Sequence, residues 1–164
     1  MKLSITPKRW LKTCHILFAA IMLGNMVTFL LLSITIAISE NGQLIESSYQ
    51  VMHLLSKTSV KASTFGTIIT GILLSIWTKW GLFKFYWIIA KELLTIPVFA
   101  LNLWGMYYWT LQAFKLIESS GARTDVFIVQ AELWIGIIIQ LISLLLMFGL
   151  SVFKPWGRRT TVSK

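Results

Sequence analysis

Two ionisable side chains stand inside apolar stretches of this sequence: His15, five residues after Trp10, and Lys91, seven residues after Lys84. Along a helix these offsets are roughly 8 Å and 10 Å. Measured from one membrane surface, the imidazole and the ammonium therefore share a level. An ionisable group at such a depth is by default the mark of a functional site. One axial histidine is enough to hold a b-type haem, so a buried imidazole needs no metal-cluster motif to be a metal ligand. Lys91 would then be a second ligand or the partner of a haem propionate. The candidate cofactor-binding residues are thus His15 and Lys91, with His15 the metal ligand, and no catalytic residue stands out. The plainer readings are a snorkelling Lys91, or one paired with Glu92 or Glu132, and a His15 hydrogen-bonded to a carbonyl.

Little else offers metal chemistry. His53 precedes the second apolar run on the opposite membrane side, most of a bilayer away from His15. A haem clamped between the two histidines is therefore not expected. The single Cys14 rules out an internal disulfide and any cysteine cluster. With no third histidine, a zinc or copper site built from protein ligands alone has weak support.

Polar residues inside the runs form stripes. Lys91, Thr95, Asn102 and Trp109 lie at offsets that a period of 3.6 places on one face. Pro97 lies among them and deprives the Leu93 carbonyl of its helical partner. A freed carbonyl at membrane depth must face protein or water, so this stripe is expected to look into the bundle. Glu132, Gly136, Gln140 and Ser143 make a thinner stripe. Asn25 is expected at the depth of Gln140, close enough for an interhelical hydrogen bond. Ser63, Thr67, Gly71 and Ser75, with Gly66 and Thr70 alongside, form a small-residue face that reads as the central packing seam.

The elements that position these groups are set by hydropathy. The chain has 164 residues, 56% hydrophobic and 13% charged, with a mean hydropathy of +0.75. Soluble domains average about 25% charged residues, so the composition is that of a membrane protein. Four uncharged or nearly uncharged runs predict an all-α, polytopic bundle of four transmembrane helices. The spans are about 10–38, 48–78, 85–114 and 127–153, making one domain over 1–164. The 25 uncharged residues from Cys14 to Ile38 exceed a signal-peptide core and read as a retained span.

Charge sets the expected orientation. One side collects Lys2, Lys8, Arg9, Lys12, Lys79, Lys84, Lys154, Arg158, Arg159 and Lys164, and the other Lys57, Lys61, Lys115 and Arg123. Ten bases against four place both termini in the cytoplasm. The net charge of +9 lies beside apolar runs and lacks exposed aromatic platforms. It therefore points to anionic inner-leaflet lipid and away from nucleic acid. Lys154, Trp156, Arg158 and Arg159 make the lipid-interface cluster that anchors the last span.

The run Leu11-Lys12-Thr13-Cys14-His15-Ile16-Leu17, followed by Leu23-Gly24-Asn25, resembles the first span of a bacterial family of four-helix integral membrane proteins of unknown function. The ending Val152-Phe153-Lys154-Pro155-Trp156-Gly157-Arg158-Arg159 is similar to tails of small membrane proteins of low-GC Gram-positive bacteria. That likeness implies a bacterial cell membrane. A looser likeness is to the haem-dependent membrane protoporphyrinogen oxidases and the copper-resistance D-type proteins. Those carry a histidine early in the first span, and the oxidases pair it with a lysine in the third. His15 and Lys91 occupy those places. After Gly24, Asn25-Met26-Val27-Thr28 stands where the oxidases have an arginine-containing segment, so the likeness implies haem binding more than oxidase activity.

Three functions are compatible with these residues. The first is a membrane component without evident enzymatic motif, accessory or structural, in which Asn25, Thr95, Asn102, Glu132 and Gln140 only hold helices together. The second is a b-type haem protein with a His15/Lys91 inner-leaflet site. The third is a small transporter, for which the paired broken helices of many transporters are not seen in the sequence. A homo-oligomer or a larger membrane complex is compatible with each.

Overall fold

A backbone in lipid has no water to bond, so runs of this length and hydropathy close their hydrogen bonds internally, as helices. The computed structural model describes residues 5–78, 81–120 and 123–157. It contains α1 (Ile5–Ile38), α2 (Gly42–Leu55), α3 (Lys61–Trp77), α4 (Tyr86–Ala100), α5 (Met106–Ser120) and α6 (Arg123–Phe153). A π-helical turn, Ser56–Val60, joins α2 to α3, and another, Leu101–Gly105, joins α4 to α5. The result is an all-α bundle of four antiparallel rods, each long and apolar enough to cross a membrane.

The rods outrun the uncharged stretches. The first begins at Ile5, the second at Gly42, the third extends to Ser120 and the fourth begins at Arg123. Hydropathy marks only the portion that must stay dry, whereas helical hydrogen bonding continues wherever an end is capped. Asn41 shows the local cause. Its Oδ1 accepts from the Gln43 N–H at 3.0 Å and the Leu44 N–H at 3.3 Å, so the expected Glu40-Asn41-Gly42 turn is also a helix start.

The second π-turn reorganises the third span. The Met106 N–H reaches back five residues to the Leu101 carbonyl, and α4 contains Pro97 just upstream. Pro97 and Leu93 both lie on the exposed side of α4. The carbonyl that Pro97 frees is thus not part of the inward stripe, contrary to the expectation from sequence. The stripe faces inward for a different reason, namely its own contacts to α3 and α6.

Packing is uneven along the bundle. α1 lies most extensively on α3, α5 on α6 and α2, and α6 also on α1 and α4, whereas α3 and α4 barely touch. The small-residue face of α3 is the seam against α1. A Cβ on Gly66 would lie 2.6 Å from the Phe18 ring, and one on Gly71 would lie 3.2 Å from His15 Cε1. Glycine at these two places lets the aromatic side chains of α1 rest on the α3 backbone. Met22, Met26, Phe29, Met52, Met106, Leu133 and Ile137 fill the apolar core.

Candidate functional site

His15 projects from α1 onto α3. Its Nδ1 lies 3.1 Å from the Thr67 carbonyl oxygen and 3.0 Å from Thr70 Oγ1. A carbonyl oxygen only accepts, and the Thr70 hydroxyl already donates to the Gly66 carbonyl at 2.6 Å. Nδ1 must therefore carry the proton and donate to both oxygens. In the neutral ring this leaves the Nε2 lone pair uncommitted, and Nε2 has no hydrogen-bond partner among the described residues. Metal-binding histidines are oriented in the same way, by donating their other ring N–H to a carbonyl or carboxylate. Thr70 and Gly71, on adjacent faces of one helical turn, fix the ring: one by accepting its proton, the other by leaving space.

Lys91 reaches the other wall. Its Nζ donates to Ser151 Oγ on α6 at 2.7 Å and lies 5.9 Å from the Trp87 ring centroid. Ser151 in turn donates to the Met147 carbonyl at 2.9 Å. Among the described residues Lys91 bonds neither Glu92 nor Glu132. One oxygen of Glu92 is buried without a partner, and Glu132 is half-buried.

His15 and Lys91 make no bond to each other. Their heights are set by pairing. Asn102 meets Thr64, so in the antiparallel rods Thr70 stands level with position 96. Lys91, five residues on, is roughly 7 Å nearer the end that carries the termini. The expected common level thus becomes an offset pair, His15 on the α1/α3 wall and Lys91 on the α4/α6 wall.

The inward polar residues divide among neighbours. Asn25 Nδ2 donates to Ser59 Oγ at 3.0 Å and Ser63 Oγ at 3.5 Å. The expected bond between Asn25 and Gln140 is absent, because Asn25 shares with His15, Phe18 and Met22 the stripe of α1 that is pressed on α3. Gln140 is fully buried and neither of its amide atoms has a partner. Asn102 donates to Thr64 Oγ1 at 2.8 Å, while Thr95 donates to the Lys91 carbonyl at 2.8 Å and approaches Met147 Sδ at 3.6 Å. The single stripe read from the sequence is therefore split: Lys91 and Thr95 turn to α6, and Asn102 turns to α3.

At the far end, His53 Nδ1 lies 3.4 Å from Thr110 Oγ1, with its ring 5.1 Å from that of Tyr107. His53 belongs to a different layer from His15, as its place in the sequence implied. Tyr49 donates to Gln130 Oε1, a link between the second and fourth spans that no spacing in the sequence announced. No three of His, Cys, Asp and Glu come together among the described residues.

The tail turns sharply. The Lys154 N–H closes α6 onto the Leu150 carbonyl, and Lys154 and Trp156 adopt φ values of 45° and 65°. These left-handed conformations, with Pro155 between them, stop the helix. Trp156 and Gly157 then line a groove with Tyr86, Ile89, Ala90 and Leu93 of α4. Arg158 and Arg159 lie outside the described residues. A scan of protein-family models and searches of curated proteins and of solved structures find no match to this chain.

Proposed function

We propose that this chain is a multi-pass protein of the bacterial cell membrane, termini inside, that holds a b-type haem through His15 Nε2. The observation that carries the reading is the placement of His15 Nδ1 against two oxygens, which assigns the ring proton to it. Donation from Nδ1 to the Thr67 carbonyl and Thr70 Oγ1 points the remaining lone pair away from α3. A histidine with a purely structural role gains nothing from an idle second nitrogen in lipid, where unsatisfied polar atoms are costly. The donor set also suits the group, since one imidazole can hold haem iron. Lys91 fits the role of propionate partner better than that of second ligand. Its Nζ is already engaged by Ser151 and lies near the Trp87 ring, on the wall away from His15.

Haem, when bound, supplies one-electron chemistry. The residues of the chain supply a fixed tautomer, a lysine amine on the facing wall and a surrounding of low polarity. The ten-to-four distribution of bases supports cytoplasmic termini. It also favours anionic lipid as the surface that the tail meets.

The deciding experiment is the absorption spectrum of the protein purified in detergent from haem-replete cells. A Soret band and reducible α and β bands are expected, lost in His15→Ala and retained in His53→Ala. A featureless visible spectrum after haem addition would leave the polar contacts as helix packing, in an accessory or structural membrane component.

A further inference from the structure

The groove between the tail and α4 lies outside the bundle core, on the lipid side of α4. Its volume of about 570 Å³ falls within the range of about 300–1,000 Å³ typical of small-molecule sites. Three of its walls, Tyr86, Leu93 and Trp156, are 48%, 62% and 61% exposed, so no part of the described chain covers them. A Cβ on Gly157 would meet nothing within 4 Å. Tyr86 opens α4 and Trp156 follows the end of α6, so these two rings stand at the interface end of the groove. Each has an apolar body and a polar tip, as suits that depth. Leu93 lies seven residues further along α4, roughly 10 Å deeper. The groove thus begins among headgroups and descends past Ala90 into the hydrocarbon.

The hook that closes the groove is unusual backbone. Lys154 and Trp156 have φ values of 45° and 65°, which L side chains seldom adopt. Such conformations persist only where the surroundings hold them, and here they lay Trp156 beside α4. Charge at the rim has one sign. Lys84, two residues before Tyr86, and Lys154, two before Trp156, are both exposed. α4 starts without a side-chain cap and without an acid in its first turn, so the positive end of its dipole lies at the same rim. No Asp or Glu occurs between positions 62 and 91 or beyond 132, and Arg158 and Arg159 follow the groove in sequence. An occupant must therefore be apolar along Ala90 and Leu93 and negative at the rim. A second copy of this chain does not meet that need. Inserted in the same direction, it would set a basic rim against a basic rim.

We propose that this groove is a discrete site for one anionic phospholipid of the leaflet that faces the termini. An acyl chain lies along Ala90 and Leu93, and the phosphate meets the rim of Lys84 and Lys154. The Tyr86 hydroxyl and the Trp156 indole N–H are donors suited to its ester and phosphate oxygens. A lipid so held joins the tail to α4 and fixes the end of the fourth span against the third. The assignment rests on the reading of the chain as a membrane protein with one basic side. It does not rest on haem, because Lys91 turns away from the groove to α6.

The test is native mass spectrometry of the full chain, released from micelles that contain equal phosphatidylglycerol and phosphatidylcholine. One phosphatidylglycerol per chain should be retained, in preference to phosphatidylcholine. Lys84→Gln and Lys154→Gln should each lower that preference about fivefold, the equivalent of about 1 kcal/mol per base. Ala90→Phe, which fills the groove, should abolish retention of either lipid, and Lys57→Gln, at the far end of the bundle, should change nothing. Helical circular dichroism identifies a variant that fails to fold, and the two exposed lysine variants decide if Ala90→Phe does. Equal retention of the two lipids, retention unchanged in folded Ala90→Phe, or a dimer that Ala90→Phe dissociates would each overturn the proposal. Reporter fusions and visible spectra report separately on orientation and haem, so the failure of either is distinguishable from the loss of this site.

Discussion

Substituting single glycines by alanine tests whether α1 and α3 close as tightly as described. A helical Gly→Ala change gains about 1 kcal/mol in propensity where nothing obstructs it. Gly24 has nothing within 4 Å of a would-be Cβ, so Gly24→Ala should show that gain. At Gly66 the new Cβ would lie 2.6 Å from Phe18 Cδ1 and Cγ. Carbon atoms rest at about 3.5–4.0 Å, so the ring or the helix must retreat by about 1 Å. Overpacking of this kind costs about 1–3 kcal/mol, which leaves Gly66→Ala less stable than Gly24→Ala by that amount. Gly71→Ala, 3.2 Å from His15 Cε1, should fall between them. Unfolding in mixed micelles, followed by helical circular dichroism, measures all three. Phe18→Leu should recover part of the Gly66→Ala loss, a coupling that a double-mutant cycle detects. Gly66→Ala as stable as Gly24→Ala, with no coupling to Phe18, would refute the close approach of α1 and α3.

Three further outcomes are expected. A reporter fused after Lys164 should be active in the cytoplasm and one inserted near Gly121 outside, with reversal of both overturning the orientation. Asn41→Ala should lower stability by about 1 kcal/mol in the same micelle assay through loss of the α2 cap, while Asn41→Asp should retain it. His15→Cys with Lys91→Cys, in a Cys14→Ser background, should be joined by a thiol cross-linker of about 16 Å reach, since α1 and α4 face each other across the bundle and the two residues are offset by roughly 7 Å. No joining at that reach would overturn a shared site.

Four runs of apolar residues were enough to read four helices, because lipid leaves the backbone no alternative. The seam of α3 was legible too, since Ser63, Thr67 and Gly71 repeat at helical spacing. The partners were not. Asn25 and Gln140 were matched by depth alone, yet depth says nothing of azimuth, and Asn25 faces the hydroxyls of the second span. Counting from charged residues near the span ends sets Lys91 and His15 at one level, whereas the Asn102–Thr64 pairing sets them roughly 7 Å apart along the rods. Pro97 lies among the members of the polar stripe in sequence, yet its angular position puts it on the exposed side.

The two π-turns explain why no single helical wheel describes the second or third span. Each wide turn accommodates about one extra residue, so the helix beyond it is rotated by roughly 100° from the phase set before it. In the second span, Ser56 lies by Thr110, whereas Ser59 and Ser63 receive Asn25. One rod thus addresses α5 above the turn and α1 below it without a break in the chain. An insertion that would be a frameshift for a rigid rod becomes here a swivel, re-aiming half a helix while leaving its ends in place. Deleting one residue between Ser56 and Val60 would restore the regular pitch and turn the lower hydroxyls away from α1.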